Sequence, residues 1–267
     1  MTLQFDRPMV MGILNVTPDS FSDGGLYTHF DRALWRVEQM ITEGVDIVDI
    51  GGESTRPGAQ PVRESEEIDR VVPLVEAIKS RFDVAVSVDS SKSGVMRAAV
   101  AVGADMLNDV RALQEEGALQ AAVESGVPIC LMHMQGEPRT MQSNPVYEDV
   151  ISDVMAFLSQ RIDACLELGM PKEKLVVDPG FGFGKNLSHN LALLRELNRF
   201  KSLGLPILVG LSRKNMIGMI LDKPVDQRLS GSLAAATLAL WQGASILRVH
   251  DVAATVDVVK VYQAVRR

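Results

Sequence analysis

The residues able to do chemistry recur in one kind of place. Each of a series of short apolar runs ends in a polar or loop-forming group. Asn15 follows Val10–Leu14, Asp49 and Gly51 sit at Ile47–Ile50, and Asp89 follows Val84–Val88. Asn108 and Asp109 follow Met106–Leu107, His133 follows Pro128–Met132, and Asp178 follows Leu175–Val177. Gly210 leads from Ile207–Val209 into Ser212-Arg213-Lys214, and Arg248 and His250 close Ile246–Val249. Two chemistries separate. Asp89, Asn108 and Asp178 facing Lys214 suit a flat heterocycle with an amino-oxo-pyrimidine edge, because a carboxylate accepts two N–H groups and a lysine donates to a ring carbonyl. Ser212, Thr55, Asn15, Arg248 and His250 suit a diphosphate and its Mg2+. Arg248 and His250 alternate around Val249 and so share a strand face. The basic stretch Gly210–Gly218 opens a helix whose N–H groups can hold an anion, and Asn15 offers an oxygen to an ion that keeps most of its waters. A plainer reading makes these groups helix caps, turn formers or an ion-paired rim. Their convergent mix of acid, amide and base weighs against caps, and the poor stabilising value of buried ion pairs weighs against the rim.

The elements that must position these groups follow from the same runs. The runs are Val-, Ile- and Leu-rich and too short for helices, as buried parallel strands are. Between them lie amphipathic stretches of helical length: Arg32–Glu43, Ser65–Ser80, Ser93–Val102, Glu115–Ser125, Tyr147–Leu168, Leu187–Lys201, Gln227–Trp241 and Val252–Arg266. Several stop at glycine (Gly44, Gly103, Gly126, Gly169, Gly204, Gly243). Strand then helix, repeated in this way, predicts an α/β fold, a (β/α)8 TIM barrel, with a doubly wound sheet as the alternative. With no linker or low-complexity tract, residues 1–267 read as one domain. In such a barrel the C-terminal ends of the strands carry the chemistry. Two long loops, Asn15–Gly25 with Asp23 and Gly51–Gly58 with Arg56, are expected to act as mobile lids after strands 1 and 2. Asp178-Pro-Gly-Phe-Gly-Phe-Gly-Lys185 is neither a Walker motif nor GxGxxG. It reads as a tight loop that lets a flat ligand approach the backbone, with Asp178 pointing inward.

Composition sets the bounds. The 267 residues are 46% hydrophobic and 23% charged, the profile of a folded globular chain, and the net charge is −7. That balance, with 5% aromatics, disfavours nucleic acid and anionic membranes as partners. Cys130 and Cys165 are too few for a disulfide framework or a zinc cluster and read as reduced core residues. The N-terminus has no signal-peptide pattern, and the longest charge-free stretch, between Arg228 and Arg248, is broken by Ser, Thr, Gln and Gly. A cytoplasmic location is the expectation.

Taken in order, the motifs Met11–Gly25, Asp49–Gly58, Ser87–Ser90, Asn108–Val110, Asp178–Lys185, Ser212–Lys214 and Arg248–His250 resemble those of bacterial dihydropteroate synthases, and the resemblance runs over essentially the whole chain. It implies a transferase of folate biosynthesis that joins 6-hydroxymethyl-7,8-dihydropterin diphosphate to 4-aminobenzoate, releasing 7,8-dihydropteroate and diphosphate. By the same resemblance Asp89, Asn108, Asp178 and Lys214 hold the pterin, and Met132 and Phe183 line its faces. Thr55, Arg248 and His250 bind diphosphate, with Asn15 on Mg2+. Phe21, Arg56, Pro57 and Asn215 enclose the aminobenzoate, where sulfonamides bind in the family. Many members of the family carry serine where this chain has Asn215, which bears on the aminobenzoate contact rather than on the reaction class. A dissociative path suits these groups: Mg2+, Arg248 and His250 neutralise the leaving diphosphate, the ring delocalises the methylene cation, and Asp23 stabilises it. The catalytic groups are thus expected to be Asp23, Lys214 and Arg248. The rivals are a silent pterin-binding paralogue and a methyltetrahydrofolate-type methyltransferase domain. A homodimer is expected from the family, with Leu229–Trp241 as the candidate apolar face.

Overall fold

The computed structural model describes residues 3–16, 26–54, 60–137, 141 and 145–266, with the side chains of 26–29 outside that description. Eight strands alternate with helices: β1 Met9–Asn15, β2 Ile47–Gly51, β3 Ala85–Asp89, β4 Met106–Asp109, β5 Ile129–Met132, β6 Leu175–Asp178, β7 Leu208–Val209 and β8 Ile246–Val249. All pair in parallel in the order β6-β5-β4-β3-β2-β1-β8-β7. The ring is brought nearly closed by the parallel bridge Val177↔Ile207, beside which Val177 N donates to Pro206 O at 3.0 Å. The expected (β/α)8 barrel is therefore the fold, and a doubly wound sheet is excluded.

The helices are α1 Leu26–Glu43, α2 Glu64–Arg81, α3 Ser93–Ala101, α4 Ala118–Ser125, α5 Val150–Glu167, α6 Leu187–Arg195, α7 Asn215–Leu221, α8 Leu229–Gln242 and α9 Val252–Arg266. Their boundaries depart from the periodicity reading where a local device intervenes. Asp149 caps α5 by accepting from Ile151 N and Ser152 N, so that helix starts after Tyr147. Gly117, at φ 72°, delays α4 to Ala118. Beyond α6 the chain tightens into a 3-10 turn over Leu197–Leu203, where buried Leu197 and Phe200 keep the three-residue spacing that this geometry favours.

Strand alternation divides the barrel into layers. Outward residues such as Val48, Val86, Leu107 and Leu247 pack on the helices in one large core. Inward residues Met11, Ile47, Ala85, Met106, Cys130, Val176, Leu208 and Ile246 form a second, apolar plug, against which Leu3 and Phe5 pack from the chain start. Two residues further along β2, β3, β4, β5, β6 and β8, pointing the same way, stand Asp49, Ser87, Asn108, Met132, Asp178 and Arg248. The barrel is thus filled below and polar above. Gly12 is required where β1 meets its helices: a Cβ there would fall 2.6 Å from Met40 Sδ and 3.1 Å from Val252.

Candidate active site

The polar layer is organised around Arg248. Its Nε donates to Asp49 Oδ2 at 2.6 Å and its Nη2 to Asp89 Oδ2 at 2.7 Å, while Asn108 Nδ2 donates to the same Asp49 oxygen at 3.3 Å. One cation thus ties β8 to β2 and β3, and the two carboxylates raise its pKa further. A guanidinium has five N–H groups, so this pairing leaves donors for an incoming anion. Burial pushes the Asp89 carboxyl up to about 7, with Asp49, Asp109 and Glu67 adding to the rise and Arg248 opposing it.

Asp178 ends β6, and its Oδ1 accepts from Gly180 N at 2.7 Å. Burial raises it to about 6, against the pull of that N–H and of Lys214, Lys185 and Arg248. Lys214 immediately precedes α7 and reaches back so that its Nζ lies 4.2 Å above the centroid of the Phe183 ring. Burial and Arg248 lower it to about 8, while Asp178 and Asp89 counteract. Phe183 and Met132 belong to a small apolar cluster with Val110 and Met141 at the top of the barrel. An acid, an amide, an acid and an ammonium therefore converge beside an aromatic face, which is what a flat heterocycle with both donors and acceptors requires.

His250 lies one residue beyond the end of β8 and takes a different partner from Arg248. His250 Nδ1 lies 3.1 Å from Ser212 Oγ, whose oxygen also accepts from His250 N at 3.2 Å. Burial, with Arg213 and Arg248 nearby, lowers His250 to about 4, so in the free protein it is a neutral hydrogen-bonding group and not a cation. Part of the backbone at Gly210–Gly218 is engaged within the protein. Arg213 N donates to Ser232 Oγ, Lys214 N to Leu211 O and Ile217 N to Lys214 O. The Arg213 guanidinium grips Asp251 through both its Nε (2.9 Å) and its Nη2 (2.5 Å). Asn215 is exposed at the first turn of α7.

Asn15 stands at the end of β1 beside Gly51. A Cβ on Gly51 would lie 3.6 Å from Asn15 Oδ1 and 3.9 Å from Asp89 Oδ2, so the two oxygens border one small space that the glycine keeps open. Among the described residues no group of three His, Cys, Asp or Glu side chains is placed to hold a metal. An ion at Asn15 would therefore take most of its oxygens from substrate and water, as Mg2+ commonly does. Thr55, Arg56 and Pro57, like Phe21 and Asp23, lie outside the described residues. The base of the second loop is described and firmly held: Lys92 Nζ donates to Glu53 and to buried Glu67, and Arg70 Nη1 donates to Gly52 O at 2.8 Å.

The sequence reading gave no role to Asp49 or Lys185. The signal for Asp49 was an acid at an inward position of an apolar strand; the signal for Lys185 was a lysine ending a glycine-rich loop. No described helix is long and apolar enough to cross a membrane, and both cysteines are buried free thiols.

Comparison with known proteins gives the arrangement its setting. A family described as "Pterin binding enzyme" matches residues 11–250. The chain is 60% identical over 262 residues to the dihydropteroate synthase of Haemophilus influenzae, covering 98% of this chain and 95% of that one. It is 54% identical over 263 residues to that of Escherichia coli, covering 98% and 93%. Among solved structures, Yersinia pestis dihydropteroate synthase in complex with a sulfonamide drug superposes with a TM-score of 0.95 at 53% identity, over 100% of this chain and 97% of that one. Xanthomonas albilineans dihydropteroate synthase with 4-aminobenzoic acid gives 0.93 at 50% identity, over 99% and 95%. The inward polar layer, the nearly closed barrel and these similarities agree, and the chain belongs to the dihydropteroate synthase family of pterin-binding enzymes.

Proposed function

We propose that the barrel mouth condenses 6-hydroxymethyl-7,8-dihydropterin diphosphate with 4-aminobenzoate by a dissociative path, with the roles divided as follows. Asp178, Asp89, Asn108 and Lys214 take the pterin edge, and Met132 and Phe183 its faces. The observation that carries this is the convergence of the Asp178 carboxylate and the Lys214 ammonium beside the Phe183 ring. An ionised Asp178 accepts from the ring's amino and N–H groups, and a charged Lys214 donates to its carbonyl.

Arg248 keeps Asp49 and Asp89 paired and turns its remaining N–H groups to the diphosphate. Thr55 and the His250–Ser212 pair supply further hydrogen bonds, and the approaching phosphate charge favours proton uptake by His250. Mg2+ held at Asn15 would supply charge neutralisation to the departing diphosphate. As the C–O bond breaks, the electron pair leaves with diphosphate and the pterin ring spreads the positive charge of the methylene carbon. Asp23 stabilises that cation, and the loops carrying Asp23 and Arg56 exclude water that would trap it. The aniline nitrogen is neutral and nucleophilic at pH 7, so it attacks without a strong general base, and the acidic anilinium proton formed with the new N–C bond then passes to water or the released diphosphate. Phe21, Arg56, Pro57 and Asn215 enclose the aminobenzoate, and the same pocket makes the protein a sulfonamide target. The reading includes a cytoplasmic location and a homodimer with Leu229–Trp241 as the candidate face, where Leu229, Leu238 and Trp241 are exposed.

The test is diphosphate release by the purified protein given the dihydropterin diphosphate and Mg2+, with and without 4-aminobenzoate. Amine-dependent release with an equal amount of dihydropteroate is expected. Tight pterin binding without release would overturn the reading in favour of a silent binder.

A further inference from the structure

Lys185 is almost fully buried, yet nothing in the assigned reaction uses it. Its Nζ donates to Gly180 O and to Phe183 O, each at 2.9 Å, and stands 2.9 Å from His133 Nδ1, with His133 O at 3.4 Å. An ammonium has three N–H donors and no acceptor. The three close partners therefore use it completely, provided that Nδ1 accepts and the imidazole proton sits on Nε2. The ring is suited to this: burial and the Lys185 charge hold His133 down to about 3, so it is neutral. It is seated edge-on against Phe157 of α5, with ring centroids 4.9 Å apart.

What the lysine grips is the β6–α6 connection, at Gly180 and Phe183. Gly180, Gly182 and Gly184 have φ of 73°, 79° and 60°, so no regular ladder holds this stretch. Its hydrogen bonds go instead to Lys185, to Asn190 Oδ1 (from Gly182 N, 2.7 Å) and to the Tyr147 hydroxyl (onto Gly184 O, 2.7 Å). The same stretch caps Asp178 through Gly180 N and carries the Phe183 ring beneath Lys214. Burial pulls Lys185 down to about 7, against the attraction of Asp178. A titratable amine thus stands where an apolar side chain would cost less to bury, and a buried ionisable group is a poor source of stability as such.

We propose that Lys185 is a positioning residue for pterin recognition: by giving its three ammonium hydrogens to Gly180, Phe183 and His133, it locks the β6–α6 loop onto the end of β5 in the shape that presents Asp178 and Phe183 to the ring. The inference rests on the assignment of Asp178 and Phe183 to the pterin.

The test uses the full chain with Lys185→Met, His133→Phe, Tyr147→Phe and Asp178→Asn. The readouts are KM for the dihydropterin diphosphate, KM for 4-aminobenzoate, calorimetric Kd for 6-hydroxymethylpterin, and Tm. Lys185→Met leaves buried carbonyls unpaired and is expected to raise the pterin KM and Kd about tenfold or more, with the aminobenzoate KM within about twofold. His133→Phe keeps the ring packing, removes one acceptor, and is expected to weaken pterin about threefold. An unchanged pterin Kd in folded Lys185→Met overturns the proposal, as does a loss shared equally by both substrates. If Lys185→Met does not fold, His133→Phe and Tyr147→Phe decide, and unchanged pterin affinity in both overturns it. Asp178→Asn separates the two layers of the argument. No loss there overturns the pterin assignment itself, whereas loss there with none in Lys185→Met overturns only the clamp.

Discussion

Replacing Arg248 by methionine removes the cation on which the polar layer closes. Asp49 is fully buried and the Asp89 side chain is 10% exposed, so neither carboxylate can turn to water for compensation. Breaking a buried pair from one side costs about 3–5 kcal/mol, and here one arginine serves two acids. The pH dependence gives the cost a signature. Asp89 already stands at about 7, and Arg248 is the group that restrains it, so the variant's Asp89 titrates higher still. A carboxyl whose folded pKa lies above its unfolded value weakens the fold as pH rises between the two values. The penalty is absent below the unfolded value and complete above the folded one. The deficit of Arg248→Met should therefore be greatest near pH 8 and should shrink toward about pH 5.5 by at least ~1 kcal/mol as Asp89 takes up a proton. Urea unfolding of the wild type and the variant at both pH values measures this. Arg248→Met/Asp49→Asn, which also removes one stranded charge, should recover part of the loss. A deficit below about 1 kcal/mol near pH 8, or one equal at both pH values, would refute the reasoning.

Other consequences are as open to measurement. Affinity for a pterin analogue should be bell-shaped in pH, falling below about 6–7 as Asp178 and Asp89 protonate and above about 8 as Lys214 loses its proton. Lys214→Arg should abolish the alkaline limb, and calorimetry across that range checks both limbs. Gly180→Ala should destabilise the protein by about 3 kcal/mol or more, read as a loss of Tm, because the new Cβ would fall 1.8 Å from His133 O at a φ of 73°. Asp23→Ala should lower kcat about tenfold or more while leaving the Kd for a pterin analogue within about twofold. Steady-state kinetics beside calorimetry decides this, and the reverse pattern would remove Asp23 from the cation.

The layout of the site was legible because a barrel converts sequence position into space in a fixed way. A polar residue at the end of an apolar run becomes a residue at the mouth, as Asp89, Asn108, Asp178 and Arg248 are. Less legible were residues whose importance lies in their partners. Asp49 reads locally as one acid in a strand, and Lys185 as the end of a loop. His250 reads as a cation beside Arg248, but burial makes it neutral.

The amino-acid sequence alone determined the alternation of strand and helix, because strands buried on both faces demand apolar runs and helices between them demand amphipathic ones. It also determined that the chemical groups gather at the C-terminal ends of the strands. Only the tertiary structure decided who meets whom. Arg248 finds Asp49 and Asp89 across 199 and 159 residues of chain, and Lys185 finds His133 across 52. Those meetings depend on how the strands register around a closed ring, and the charges they produce depend on how far the ring shuts out water. Register and exclusion of water belong to the assembled barrel and have no counterpart in any local stretch of chain.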